Sequence, residues 1–549
     1  MDDLSPEPTE PSSPSVTAPA GRSVALNSTV VAVAQAIIVA LGLVLTPFIL
    51  GRLGLVLFGL YGFVTTTVAF ISVLDPGLGL IVIRYSSSDD TDKLLSARLS
   101  TFGLMVWLGL GLVLSPLLFI VVPSLTANLH SATGALLSPS LVHTAQQFFV
   151  WGYLYLFITA ASAIIGCRLI AAGEQWLVTV IGLVSRFAYA AVVVAVLIAG
   201  YGIWGLAIAS SVQTGIVLVA TVIAIWRRHG RVFANPFTLG TKRLAELLRF
   251  GGLVQLSSIL DALNYDTDPI IIGRFVSVGA SGLYQLANRA AGQIAYLVAV
   301  PQQSLLQTFS SVANRRSSID EVRRPAIQAS RYLGLLAFFA GGALLAAAPE
   351  LSVAWLGKPY EGIDKALCLL AGLQLVNAAR FNSSIVIVAL GKAGIGAKAK
   401  AISVLVNLAL TLALVFPFGL TGVLIGTIVA SALQTAVLMK RYTKLLESTL
   451  QHVLWQWYLP GMAVALASAG IARIAGLVID AGSVSSRGPA LLAGAVTLTI
   501  FALMFAVGIR LTRYLQHDDL DYVSGILPQP IGKLLHLRII RLLTTRVKP

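Results

Sequence analysis

Apolar residues run through this chain in long blocks separated by short polar segments, with neither period-two alternation nor a single apolar stripe. A membrane-spanning helix needs about 20 mostly apolar residues. Fourteen blocks meet that length, near 25–50, 56–82, 97–122, 147–170, 177–199, 203–226, 250–273, 280–307, 329–349, 366–390, 399–417, 420–439, 457–478 and 489–510. The pattern predicts an all-α, polytopic membrane protein with fourteen transmembrane helices. It divides the chain into a disordered cytoplasmic tail (1–24), an N-lobe of six helices (25–226) and a basic amphipathic linker (227–249). A C-lobe of six helices (250–440), two appended helices (441–511) and a basic tail (512–549) follow.

Composition narrows the class. The 549 residues are 57% hydrophobic and 11% charged, against roughly 25% charged in average proteins, and the mean hydropathy is +0.86. So few charges cannot cover a globular surface, which excludes a soluble enzyme, a disordered scaffold and an ordinary nucleic-acid binder. The acidic, Pro/Ser-rich opening lacks the basic n-region of a cleavable signal. Two cysteines, Cys167 and Cys368, exclude a disulfide framework and have no thiol or His at metal-ligand spacing.

The net charge of +15 is topological. With the N-terminus inside, 29 of the 38 Lys and Arg residues fall in inner segments and six in outer ones. Three, Arg186, Arg289 and Arg380, fall inside spans. That asymmetry predicts a multi-pass protein of the cell membrane with both termini cytoplasmic, and thirteen helices would break the alternation. Thr241 to Phe250 and Ile531 to Leu543 are amphipathic and basic, and are expected to lie along the membrane surface against lipid headgroups.

The chain also repeats itself. Leu45 to Phe63 (LTPFILGRLGLVLFGLYGF) aligns with Asp266 to Leu286 (DTDPIIIGRFVSVGASGLYQL), pairing Gly51-Arg52 with Gly273-Arg274 and Gly59-Leu60-Tyr61 with Gly282-Leu283-Tyr284. The offset of 222 to 223 residues spans six helices, an even number, so both copies enter the membrane in the same orientation. Two parallel bundles around a central cavity are expected, as transporters use.

These segments, with DPGLGLIVIRY (Asp75 to Tyr85) and Leu247 to Arg289, resemble polysaccharide-biosynthesis flippases of the O-antigen transporter type. That family lies in the multidrug/oligosaccharidyl-lipid/polysaccharide exporter superfamily, alongside lipid II flippases and multidrug and toxic-compound extrusion transporters. The resemblance covers about residues 25–510 in layout and implies two six-helix lobes working by alternating access. It implies a polyprenyl-(pyro)phosphate-linked oligosaccharide as cargo, moved from the inner to the outer leaflet for cell-surface polysaccharide synthesis. It further implies membrane lipids as surroundings, polysaccharide polymerase or glycosyltransferases as partners, and no nucleic acid.

Charges inside spans are the candidate working residues. A guanidinium at mid-bilayer costs at least about 2.5 kcal/mol, which a cavity, a partner or function must offset. Arg186, Arg289 and Arg380 are expected either to line a cationic cavity that binds phosphate oxygens or to pair with Asp261, Asp266 or Asp268. Val254, Asp261 and Asp268 recur at seven-residue steps and share one face of a regular helix, with Asp266 pointing elsewhere. Each carboxylate is a candidate site for H⁺ or Na⁺ coupling, or a counter-ion to an arginine. Arg52 and Arg274 match in the repeat and are expected to cap helix C-termini. Asp75, ahead of Pro76-Gly77, marks a break in the second helix. With Arg84 it forms either a gate pair or a structural kink.

No HExxH, no paired metal spacing, no Ser/His/Asp order and no phosphate-binding GxxxxGK[ST] occurs, so neither a cofactor, a metal nor covalent chemistry is expected. Alternative readings are a cation-coupled multidrug antiporter, a lipid II flippase, and a membrane glycan polymerase or ligase. The three arginines inside spans argue against cationic cargo. The longest outer loop, 124–146, holds no Asp, Glu, Lys or Arg, which argues against catalysis at the outer face.

Overall fold

The computed structural model describes residues 20–75, 77–86, 94–131, 134–314, 319–479 and 486–515. Residues 1–19 of the N-terminal tail and the amphipathic segment 531–543 lie outside them, whereas residues 20–24, expected in the disordered tail, are helical. The described chain is helical: α1 (Ala20–Ala69), α2 (Leu78–Ser86), α3 (Leu95–Thr126), α4 (Pro139–Ala171), α5 (Gln175–Ile198) and α6 (Gly202–His229) come first. Then follow α7 (Thr241–Tyr265), α8 (Thr267–Phe275), α9 (Val278–Asn314), α10 (Ile319–Ala346), α11 (Ala348–Leu356), α12 (Ile363–Ala389) and α13 (Ala393–Leu445). The chain closes with α14 (Leu450–Val453), α15 (Leu459–Ile479) and α16 (Arg487–Leu511).

Among the described residues nine helical stretches are long and apolar enough to cross a membrane. Two of them are hairpins. At Gly419 the backbone leaves helical geometry (φ 55°, ψ −133°), and Ser403 Oγ then donates to Ala430 O at 3.0 Å, so the halves run antiparallel. Gly54 (φ 74°, ψ 168°) breaks α1 in the same way. Glycine is required at both because an L side chain resists positive φ. With each hairpin as two passes, and with α7–α8, α9 and α12 crossing despite their polar residues, the order accommodates the fourteen expected helices.

The segment 241–250 differs from expectation. It is the start of α7, and Leu244 and Leu247 bury in a cluster with Leu78, Leu99 and Phe102 instead of lying on lipid. Burying them against α2 and α3 removes apolar surface as a lipid contact would, while fixing α7 to the first lobe.

The lobes meet at two ends. At the hairpin end a Cβ on Gly59 would overlap the Val278 carbonyl oxygen, and one on Gly282 would lie 3.0 Å from Gly59 Cα. The repeat-matched glycines therefore pack against each other. At the opposite end Gly77 abuts Gly251 and Gln255 Nε2 donates to Val73 O at 3.2 Å.

The appended helices are fastened by one ion pair. Arg473 Nη1 on α15 lies 2.6 Å from Glu350 Oε1 on α11, with the glutamate side chain 3% exposed and the arginine 33%. Arg473→Ala would strand a buried carboxylate, at a cost of about 3 kcal/mol. Thermal unfolding in detergent should show a clear loss of stability, larger than for the exposed Lys365→Ala.

Candidate functional site between the lobes

Between the two inter-lobe contacts lies a cavity of about 180 Å³. Arg186 reaches it from α5 in the first lobe and Arg289 from α9 in the second. Arg289 Nη1 donates to Thr46 Oγ1 at 3.3 Å and its guanidinium lies 5.9 Å from the centroid of the Phe58 ring. Thr46 and Phe58 would be about 18 Å apart on a straight helix, so the Gly54 break is what lets α1 grip Arg289 from two sides. The other polar walls are Tyr61, Tyr155, Tyr189, Ser210 and Gln213, and no Asp or Glu lines the cavity. Two positive charges amid hydroxyls and an amide make a site for an anion, with donors suited to phosphate oxygens.

Arg380 stands elsewhere. Its Nη1 donates to Gln434 Oε1 at 2.6 Å, joining α12 to α13, and it is not among the cavity's walls. A neutral amide thus meets this guanidinium, and the expected trio resolves into a pair plus a separate site inside the second lobe.

The three aspartates also separate. Because α7 ends at Tyr265 and α8 begins at Thr267, the regular helix that would align Asp261 with Asp268 is interrupted. Asp261 pairs with Lys400 Nζ at 2.6 Å, a lysine that charge counting assigns to an inner loop and that the structure puts on the first half of α13. Asp266 sits at the α7–α8 break, half-buried. Asp268 is 1% exposed. Its Oδ2 accepts from Thr427 Oγ1 at 2.7 Å and from Tyr284 Oη at 3.2 Å. Asn407 stands beside the same carboxyl, and Oδ1 has no hydrogen-bond partner among the described residues. The repeat has diverged here. Thr46, 222 residues before Asp268, holds Arg289, whereas Asp268 gathers hydroxyls. Tyr61 lines the anion cavity, whereas its match Tyr284 binds the carboxylate.

Arg274 lies in the last turn of α8, where a helix dipole favours a cation. Arg52 sits within α1, two residues before its break, over the Phe48 ring at 5.8 Å. Asp75 Oδ1 accepts from Leu78 N at 3.0 Å and so caps α2. Arg84 lies in the last turn of α2 beside Tyr85, at the other end of that helix from Asp75.

Sequence reasoning missed Tyr155, Tyr189, Ser210, Gln213 and Thr427. The legible signal was polar residues spaced three apart inside spans, Arg186 with Tyr189 and Ser210 with Gln213, which share a helix face.

Comparison with known proteins agrees with this fold. The chain is 26% identical over 172 residues to the probable low-salt glycan biosynthesis flippase Agl15 of Haloferax volcanii, covering 31% of this chain and 36% of that protein. It is 21% identical over 429 residues to the probable flippase AglR of the same organism, covering 74% of this chain and 81% of that one. Among solved structures, an inward closed conformation of the lipid II flippase MurJ superposes with a TM-score of 0.64 at 14% identity, over 87% of this chain and 98% of that chain. An inward-facing multidrug resistance MATE family transporter of the MOP superfamily gives 0.56 at 14% identity, over 77% and 96%. These likenesses establish the transporter fold. Residues 53–364, more than half of the chain, match the polysaccharide biosynthesis protein family, and the chain belongs to that family.

Proposed function

We propose that the protein is a flippase that moves a polyprenyl-(pyro)phosphate-linked oligosaccharide from the inner to the outer leaflet of the cell membrane by alternating access. The carrying observation is the cavity that joins Arg186 of one lobe to Arg289 of the other with no carboxylate in its walls. A headgroup phosphate can bind both lobes there, so its affinity depends on how the lobes stand, which directional transport requires. The polyprenyl tail stays in lipid, and no covalent bond is made or broken. Family membership and two relatives named as flippases support this reading.

Orientation follows from charge. Even with Lys400 taken out of the inner loops, basic residues remain concentrated on one side, which puts both termini in the cytoplasm and the hairpin end outside. In this reading residues 25–226 form the first lobe and 250–440 the second, and the segment between them ends in the first turns of α7.

Asp268 is the best-placed coupling residue. A buried carboxylate with a free oxygen, beside Thr427 and Asn407, is an all-oxygen site of charge −1. Such a donor set suits H⁺ or Na⁺ better than a transition metal, and among the described residues no group of three His, Cys, Asp or Glu could hold a metal. Asp261 is already neutralised by Lys400.

The alternative is a cation-coupled drug antiporter, which would use an anionic cavity. Purified protein in proteoliposomes separates the two. Translocation of a fluorescent lipid-linked oligosaccharide without movement of a lipophilic cationic dye is expected. Dye movement without lipid translocation would reverse the assignment.

A further inference from the structure

Beyond the Gly59–Gly282 contact, at the hairpin end, lies a second and larger space of about 1140 Å³. Small-molecule pockets typically run about 300–1,000 Å³, so this vestibule has room for several sugar rings where the inner cavity does not. Leu55 and Leu283 line it, and the Leu55 carbonyl oxygen would lie 3.3 Å from a Cβ on Gly282. The vestibule therefore begins where the inter-lobe contact ends, and separation of the lobes at that contact opens into it.

Its charge is the reverse of the inner cavity's. Glu350, Glu361 and Asp364 face Lys365 and Arg473, three carboxylates against two cations. Glu350 is committed to the helix-fastening pair. It is 2% exposed, Oε1 is taken by Arg473, and Oε2 has no partner among the described residues. Its free oxygen is itself buried, so the carboxylates a vestibule ligand can reach are those of Glu361 and Asp364. Tyr360 adds an aromatic ring, with Lys358 Nζ 5.2 Å from its centroid.

We infer that this vestibule is a carbohydrate site that takes the neutral sugar residues of the cargo as they leave the inter-lobe cavity. Sugar hydroxyls donate to carboxylates and accept from Lys365 and Arg473, so a mixed wall satisfies both halves of each hydroxyl. A phosphate would be repelled by the excess carboxylate. Cargo is thereby divided by chemistry, with phosphate at the paired arginines and hydroxyls at the vestibule. The place in a transport cycle rests on the flippase reading, but sugar binding at these residues does not.

Saturation-transfer NMR on the full-length protein in detergent, with glucose, galactose, mannose and N-acetylglucosamine as probes, tests this. At least one sugar should show saturation transfer. Its binding should weaken about tenfold in Glu361→Gln/Asp364→Asn, as expected for lost charge-assisted hydrogen bonds, and stay unchanged in Arg186→Ala/Arg289→Ala. Neither acidic residue is a member of the helix-fastening pair, so folding should be retained, and an unchanged melting temperature checks this. Absence of transfer from every probe, or loss of binding in the arginine variant alone, would overturn the inference. Failure of lipid translocation by the wild type, with sugar binding intact, would instead overturn the flippase reading.

Discussion

Gly59→Leu should abolish translocation while leaving the protein folded and inserted. The two lobes approach through the repeat-matched glycines, and any Cβ on Gly59 overlaps backbone of the other lobe, the Val278 carbonyl, which cannot move aside as a flexible side chain could. Overpacking of this kind costs about 1–3 kcal/mol for a methylene in a core, which makes the state with the lobes joined roughly ten- to hundredfold rarer. Each lobe keeps its own apolar clusters, so the cost falls on lobe closure. A cysteine at Leu283, in a background with Cys167 and Cys368 replaced by Ser, should become far more reactive to a membrane-impermeant maleimide. Gly282→Leu should reproduce the defect. Gly51→Ala, from the same repeat but with nothing within 4 Å of the added carbon, should be silent. Normal transport by Gly59→Leu would mean that the lobes do not close there.

The second large effect is at Asp268. Asp268→Asn retains an acceptor for Thr427 and Tyr284 but removes the charge. Coupling energies between sites are typically 1–3 kcal/mol, or about 5–150-fold. If the carboxylate binds the driving cation, an imposed Na⁺ or H⁺ gradient should accelerate the wild type within that range and the variant not at all. Basal exchange should persist, because the arginine pair is untouched. A full gradient response in Asp268→Asn would move the coupling role elsewhere, with Asp266 at the helix break the next residue to test.

The sequence carried the membrane class, the two-lobe repeat and both cavity arginines, because each rests on a strong local signal. A span is readable from its length, and a charge inside one is conspicuous by its cost. What could not be read was partnership. Lys400 looks like a loop lysine until the turn of α12 into α13 puts it against Asp261. Asp261 and Asp268 look aligned by their seven-residue spacing, but the break at Asp266 removes that register. Asp75 beside Pro76-Gly77 announces a break, yet its capping of α2 shows only in a 3.0 Å contact to Leu78 N. The amphipathic start of α7 would suit lipid or protein equally, since periodicity records an apolar face and not what covers it.

Lipid translocation by arginine variants in proteoliposomes tests the central claim most directly. Arg186→Ala and Arg289→Ala should each reduce the rate of lipid-linked oligosaccharide translocation at least about tenfold, the cost of one lost charge-assisted contact. Lysine at either position should restore part of that rate, and Arg380→Ala should have a smaller effect because Arg380 stands outside the cavity. Translocation unchanged in both Arg186→Ala and Arg289→Ala would contradict the account, since among the described residues they are the two charged groups lining that cavity.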